Sequence, residues 1–203
     1  MKTKNRTVSS RALAALCIVI LPACANRNGP TIYDDPSAIA VLSATPGGSA
    51  HGVVTFLRKG GATLVNANMS GFKPNSTHGI HIHQRGDCSA RDGSSAGDHF
   101  NPTSSQHGGP SATQHHGGDL GNITADAKGE VYTSFDIDDG AFGTGDDSII
   151  GRGVVVHADR DDLNTQPAGN SGARIACGAI IRNADRMTYA KASDPKPSDP
   201  KAP

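Results

Sequence analysis

The sequence predicts an all-β domain with long loops, and three observations support that prediction. Glycine accounts for 25 of the 203 residues and tryptophan is absent, and helices do not carry so many glycines without losing stability. Several segments alternate apolar and polar residues with the period of two that a half-buried strand requires. Two long stretches, 84–120 and 158–173, show no apolar periodicity. Loops of that length in a compact domain are usually functional.

The predicted strands follow from this alternation. Residues 131–137 alternate apolar and more polar side chains, as a strand with one buried face does. Residues 52–59 and 62–70 are predicted to pair as a hairpin that turns at Gly60-Gly61. Two further apolar strands are predicted, Gly153–Ala158 and Arg174–Ile181.

Residues 1–23 are predicted to be a signal peptide of the lipoprotein type. Basic residues precede an apolar run, Ala12–Leu21, which is too short to cross a bilayer but suits a signal peptide. The following Leu21-Pro22-Ala23-Cys24 resembles the lipobox of bacterial lipoproteins, although Pro22 departs from the usual residue there. Lipidation of Cys24 is therefore expected. The alternative is a cut at Ala23-Cys24-Ala25, which would release a soluble protein.

The remaining chain is predicted to comprise a tether over 24–37, a folded domain over 38–185 and a disordered tail over 186–203. The tail is dense in proline, which prevents helix and sheet. The formal net charge is zero, so no nucleic-acid partner is expected. Contact with a membrane is expected only through the lipid anchor.

The cysteines indicate an exported protein. Cys88 and Cys177 are the two that remain once the signal region is set aside, and an oxidising compartment favours one disulfide over two separate buried thiols, which are the alternative. We therefore expect the protein in the cell envelope, on the periplasmic side and anchored to the membrane. A soluble periplasmic form is the alternative.

The histidines point to metal chemistry. His81 and His83 lie two apart, so on a strand they share a face while Ile82 points into the core. A second group offers three nitrogens and one carboxylate, a set that structural zinc accepts. Solvated histidines on a polar loop are the alternative for this group. Its members, 8, 9 and 3 residues apart, are His99, His107, His116 and Asp119.

These residues lie in motifs that resemble the copper/zinc superoxide dismutase family. The resemblance runs from about Gly52 to Ile181 and covers nearly the whole predicted domain. The motifs are His78-Gly79-Ile80-His81-Ile82-His83, Gly97-Asp98-His99-Phe100-Asn101-Pro102, His107-Gly108-Gly109-Pro110, Gly118-Asp119-Leu120-Gly121-Asn122, Ile150-Gly151-Arg152, Val156-His157, Gly169-Asn170-Ser171-Gly172-Ala173-Arg174 and Cys177-Gly178.

The resemblance implies two metals that share one histidine. His99 matches the residue that binds copper through one ring nitrogen and zinc through the other. The implied copper ligands are His81, His83, His99 and His157. The implied zinc ligands are His99, His107, His116 and Asp119.

The resemblance also implies the fold, the reaction and the roles of five residues. The fold would be an eight-stranded antiparallel Greek-key β-barrel or sandwich with two long functional loops. The reaction would convert superoxide to dioxygen and hydrogen peroxide, with Arg174 beside copper and His99 as the catalytic residues. Asp161 matches a carboxylate that links His81 and His107. Cys88 and Cys177 match the family's disulfide.

Other interpretations of the same residues stay open at this point. His115 directly precedes His116 and could compete as the zinc ligand, although the spacing to Asp119 favours His116. His78 is predicted to be a packing or hydrogen-bonding histidine near the site. A metal carrier without turnover, and a structural lipoprotein that keeps the loops for stability, are the rival functions. A homodimer is compatible with the sequence, and the subunit arrangement is left open.

Overall fold

The computed structural model describes residues 37–138, 142 and 145–185. The predicted signal peptide, Cys24, most of the tether and the tail lie outside the described residues. In the described part, no helix combines the length and the apolar character that crossing a membrane requires. The strands are β1 (Ala38–Ala44), β2 (His51–Lys59), β3 (Ala62–Ser70), β4 (Thr77–His83), β5 (Asp119–Thr124), β6 (Val131–Asp138), β7 (Gly153–His157) and β8 (Arg174–Arg182).

The eight strands form one antiparallel sheet that curls into a nearly closed barrel. Their order across the sheet is β5-β4-β7-β8-β1-β2-β3-β6, and the two edge strands β5 and β6 approach each other. The neighbours β4 and β7, like β1 and β8, are far apart in the chain, which is the mark of Greek-key connections. The predicted eight-stranded antiparallel Greek-key barrel is confirmed.

The hairpin β2–β3 shows why these residues form strands. Lys59 pairs with Ala62 across the two-residue turn, and Gly60 takes a φ of +65° there, which favours glycine. Val54 and Phe56 are fully buried, while Thr55 between them is only partly buried. The predicted hairpin is therefore confirmed, with β2 starting one residue earlier than expected.

Three strands are not among the five predicted above: residues 81–83 of β4 are expected on a strand, whereas β1 and β5 are not anticipated. In β1 the residues Ala38, Ile39 and Ala40 are all buried, so the alternation of a half-buried strand is missing. β5 begins at Asp119, inside the stretch 84–120 that was predicted to be loop. It contains Asp119, Gly121 and Asn122, which are residue types that strands disfavour.

The core positions the first two histidines. Ile82 lies in the main hydrophobic cluster with Phe56, Leu42 and other fully buried side chains. His81 and His83 point to the opposite face of β4, as the period of two predicts. That face is buried as well, because the two long loops cover it.

Candidate metal centre

The loop after β4 folds back along that strand and brings distant residues together. The Ile82 N–H donates to Gly118 O at 2.8 Å, and the Phe100 N–H donates to Ile82 O at 2.8 Å. Because Phe100 and Gly118 are both tied to Ile82, their neighbours His99 and Asp119 lie beside His81 and His83. His83 and His99 also form an isolated β-bridge.

Two buried clusters share His99. Within each cluster the potential ligand atoms lie within 4.8 Å of one another. The four-histidine cluster consists of His81, His83, His99 and His157. The mixed cluster consists of His99, His107, His116 and Asp119. The structure thus brings together every residue that the sequence predicted as a metal ligand.

Hydrogen bonds fix which nitrogen of each ring faces the four-histidine cluster. His83 Nδ1 donates to Gly97 O at 2.8 Å, and His157 Nδ1 donates to Gly172 O at 3.1 Å. Both rings therefore turn an unprotonated Nε2 inward, and these two atoms face each other at 3.3 Å. Because neither Nε2 carries a hydrogen, their lone pairs point at each other and repel. Only a cation or a proton donor between the two atoms would stabilise this arrangement.

The mixed cluster has the spacing that zinc accepts. Asp119 carboxylate oxygens lie 2.9, 3.1 and 3.2 Å from Nδ1 of His99, His107 and His116. A tetrahedron with zinc–ligand distances of about 2.0 Å has edges of about 3.3 Å. The backbone N–H groups of Gly108 and His116 hold the other lone pairs of Asp119 at 3.1 and 2.8 Å.

Buried ring nitrogens without a hydrogen-bond partner are consistent with metal ions in both clusters. A buried polar atom normally makes a hydrogen bond, so an exception calls for an explanation. In the described part of the chain four buried ring nitrogens have none, and all four face one of the two clusters. They are His81 Nδ1, His99 Nε2, His107 Nδ1 and His116 Nδ1. Imidazole and carboxylate donors in these numbers fit copper and zinc.

Asp161 joins the two clusters from behind, as the resemblance implied. Its Oδ2 accepts from His81 Nε2 at 2.7 Å and its Oδ1 accepts from His107 Nε2 at 3.0 Å. Each histidine is thereby left with Nδ1 facing its cluster. Asn122 fixes the backbone of Asp161 in turn, through contacts of 2.8 and 3.0 Å.

Burial keeps three histidines of the four-histidine cluster neutral. It lowers the pKa of His81 to about 4, of His83 to about 2 and of His157 to about 3. For Asp119, burial raises the pKa, but hydrogen bonds from His99 and from two backbone N–H groups outweigh it and lower the pKa overall. At neutral pH these three histidines are therefore neutral and Asp119 is ionised, which are the forms that bind metal.

An open cavity leads to the four-histidine cluster, and Arg174 lines it. We call this space the metal cavity; it has a volume of about 500 Å³. Its described lining includes three histidines of the four-histidine cluster, His83, His99 and His157, together with Arg174. The guanidinium of Arg174 is half-buried and donates to Gly93 O and Gly97 O, both at 2.6 Å.

The disulfide Cys88–Cys177 holds the same loop. It joins the segment that follows β4 to strand β8, three residues beyond Arg174. The predicted disulfide is confirmed, and the alternative of two separate thiols is excluded. Because Gly93 and Gly97 lie in that loop, the disulfide and Arg174 fix one wall of the metal cavity together.

Neither His115 nor His78 belongs to the two clusters. His115 lies outside both clusters and contacts His116 O through its Nδ1, so His116 is the cluster residue. His78 is buried and hydrogen-bonded, with Nδ1 at 2.8 Å from His157 O and Nε2 at 2.6 Å from Ser76 Oγ. Its predicted packing role is consistent with these contacts.

Sequence reasoning did not single out Gln166, which ties the two long loops together. Its Oε1 accepts from the His107 N–H at 2.8 Å, and its Nε2 donates to His107 O at 2.9 Å. A glutamine in a polar loop carries no signal of this kind. Only the fold, which brings residues 59 positions apart into contact, identifies it as a support of His107.

The barrel, the two clusters and the shared histidine define a two-metal β-barrel protein. The family model for copper/zinc superoxide dismutase matches residues 50–180. The chain therefore belongs to the copper/zinc superoxide dismutase family. The match identifies it as an oxidoreductase, and its clusters fit the two metals of that family.

Known relatives include enzymes and copper chaperones. A Cu-Zn superoxide dismutase of Paramecium bursaria Chlorella virus 1 is 39% identical over 175 residues, covering 83% of this chain and 90% of the viral protein. The copper chaperone for superoxide dismutase of Rattus norvegicus is 41% identical over 155 residues, covering 73% of this chain. This chain spans only about half of that chaperone's length, 54%. The crystal structure of the clock protein EA4 matches with a TM-score of 0.65 and 36% identity, over 74% of this chain and 98% of that one.

Proposed function

We propose that this chain removes superoxide by dismutation, in which two superoxide ions and two protons yield dioxygen and hydrogen peroxide. The observation that carries the proposal is the metal cavity. In it, inward-facing nitrogens of the four-histidine cluster and the guanidinium of Arg174 line one open space of about 500 Å³. A small anion can enter there and meet a fixed cation beside a metal site.

The proposed ligand assignment follows the two clusters. The four-histidine cluster would hold copper and the mixed cluster zinc, with His99 between them. Copper, when bound, supplies the one-electron oxidation and reduction of superoxide. Asp161 would keep the His81 and His107 rings oriented throughout. The loops are then ordered by ligand contacts, which offset part of their conformational entropy.

Arg174 and His99 would act on the substrate itself. Arg174 stays charged at every relevant pH, and its contacts to Gly93 and Gly97 hold the guanidinium at the cavity wall. It would dock and orient the anion. His99 has a buried Nε2 on the cavity side of the cluster, so this atom could hold a proton and deliver it to the departing product.

The role of Arg174 is tested by Arg174→Gln, with Arg91→Gln as the matched control. Arg91 is exposed and lines a neighbouring cavity with Arg174. Arg91→Gln therefore removes the same charge at a position outside the metal cavity. Loss of a cation about 4 Å from the anion should lower kcat/KM for superoxide by about tenfold or more. Copper content should be unchanged, and Arg91→Gln should stay within about twofold. Equal rates in the two variants would remove Arg174 from the reaction.

Copper delivery is a second candidate, favoured by the similarity to copper chaperones. A carrier must release its copper to a partner, whereas an enzyme must retain it. The copper-side histidines here are at most 5% exposed, which favours retention. Challenge of the copper-loaded chain with a strong chelator separates the two: slow loss with rapid superoxide removal supports the enzyme, and fast loss without turnover supports the carrier.

For location we propose the periplasmic side of the cell envelope, with a lipid anchor at Cys24, where the enzyme would protect against extracytoplasmic superoxide. The lipobox-like sequence and the disulfide Cys88–Cys177 support export. Cys24→Ala should move the protein from the membrane fraction to the soluble fraction. A soluble wild type would favour the cleaved periplasmic form instead.

We also propose a homodimer, which light scattering on the purified protein would test.

A further inference from the structure

The metal cavity carries a carboxylate as well as a guanidinium. Asp98 and Arg174 both line it, and its other described lining residues include no lysine, arginine, aspartate or glutamate. The substrate of the proposed function is an anion. A negative charge in the entrance therefore opposes the attraction that Arg174 provides.

In the described part of the chain, a hydrogen bond holds the main chain of Asp98 but none holds its carboxylate. It is exposed, and no hydrogen bond or ion pair to it occurs among the described residues. Its main chain, in contrast, is fixed, because Asp98 O accepts from the Gln84 N–H at 2.9 Å. The neighbouring acids differ: Asp87 Oδ1 and Asp92 Oδ1 accept from the backbone N–H groups of Ser89 and Ser94.

The backbone places Asp98 close to the guanidinium. Arg174 Nη2 donates to Gly97 O at 2.6 Å, and Gly97 directly precedes Asp98. From standard peptide dimensions the Asp98 carboxylate then lies within about 8 Å of Nη2. Burial lowers the pKa of Arg174, whereas Asp98 and, to a smaller extent, Asp92 raise it. Of the two acids, Asp98 thus has the larger electrostatic effect on Arg174.

We propose that Asp98 is a specificity-determining residue that lowers the affinity of the metal cavity for small anions by opposing the charge of Arg174. For an anion that lies about as far from Asp98 as Nη2 does, a unit charge at about 8 Å changes the binding constant by between about twofold and thirtyfold, for effective dielectric constants from 80 to 20. The effect falls on every small anion that enters the cavity. An uncharged molecule such as hydrogen peroxide is not affected.

Azide, a small monovalent anion that binds copper, is a suitable probe because its binding needs no turnover. The copper- and zinc-loaded protein is titrated with azide, followed by the absorption of the copper centre. The variants are Asp98→Asn, which removes the charge, Asp98→Glu, which keeps it, and Asp92→Asn as the matched control. Asp92 lines the neighbouring cavity, not the metal cavity, and asparagine retains the Oδ1 acceptor for Ser94.

At low ionic strength, Asp98→Asn should tighten azide binding by about threefold to tenfold, and Asp98→Glu should resemble the wild type. Asp92→Asn should change it by less than about twofold. The difference should shrink near 0.15 M salt, where the Debye length falls to about 8 Å. Equal azide affinities in Asp98→Asn and Asp92→Asn, or weaker binding in Asp98→Asn, would overturn the proposal.

The kinetic part of the inference rests on the proposed function, and the two can fail separately. If dismutation is correct, Asp98→Asn should also raise kcat/KM for superoxide at low ionic strength by a similar factor. A tighter azide complex without any turnover would uphold the role of Asp98 and refute dismutation. Rapid turnover with unchanged azide affinity would refute the role of Asp98 and leave dismutation standing.

Discussion

Replacing Gly169 with alanine is expected to weaken zinc binding, because the new methyl group would separate Asp161 from His107. It would overlap Asp161 Oδ1 and lie 2.6 Å from His107 Nε2, closer than a side-chain carbon approaches an unbonded atom. The hydrogen bond of 3.0 Å between those two residues could not persist in place. His107 would then lose the contact that turns its Nδ1 toward the mixed cluster.

Gly169→Ala is expected to have two effects, one on zinc affinity and one on backbone stability, and a matched control separates them. Loss of a partner behind a metal ligand typically costs 10- to 100-fold in metal affinity, or about 1.4 to 2.7 kcal/mol. Gly169 also has a φ of +64°, and a left-handed backbone costs an alanine about 1 to 2 kcal/mol of stability. Gly60 has a φ of +65° with nothing within 4 Å of an added methyl group. Gly60→Ala therefore carries the backbone cost alone.

Zinc affinity is measured by competition with a chromophoric chelator, and unfolding of the metal-free proteins by urea. Both variants should lose similar backbone stability, but Gly169→Ala alone should bind zinc about 10- to 100-fold more weakly. Asp161→Asn removes the carboxylate without the added bulk and should also weaken zinc binding. Equal zinc affinities in Gly169→Ala and Gly60→Ala, both folded, would refute the role assigned to this contact.

Three further predictions concern the same site. Asp119→Asn should deplete zinc before copper, because it replaces the one anionic donor of the mixed cluster; elemental analysis that finds normal zinc would contradict the ligand assignment. Gln166→Ala removes two hydrogen bonds to the His107 backbone and should weaken zinc binding by about tenfold, which the same chelator competition would detect. Metal-free protein should lose stability as pH falls from 6.5 toward about 4. Burial lowers the pKa of His81 from 6.5 to about 4, so between these pH values the unfolded chain binds more protons than the folded chain. A urea midpoint that is constant from pH 6.5 to 5 would contradict this.

The sequence predicted the face that His81 and His83 share, because the period of a strand is a local property. Ile82 is buried in the core as that period requires. Residue types and spacing predicted the zinc-type group His99, His107, His116 and Asp119, and the resemblance added His157 and the sharing of His99. Local periodicity could not connect these residues to His81 and His83. The structure supplies the connection, since Phe100 and Gly118 both bond to Ile82 and bring their neighbours to the same strand.

What could not be predicted depends on contacts between distant segments. β5 contains Gly121 and Asn122, which locally favour a loop, yet pairing with β4 makes it a strand. Gln166 and Gly169 have roles only because their loop packs against His107 and Asp161. The position of Asp98 in the metal cavity likewise follows from the path of its loop past Arg174.

The most direct test is the rate of superoxide removal by protein that contains one copper and one zinc per chain. The metal content and the rate are measured on the same sample, with the zinc-only protein as the control. The proposed function predicts rapid removal, with many turnovers per copper and none from the zinc-only protein. Full loading with both metals and no turnover would contradict dismutation, and would favour a protein that carries metal without using it.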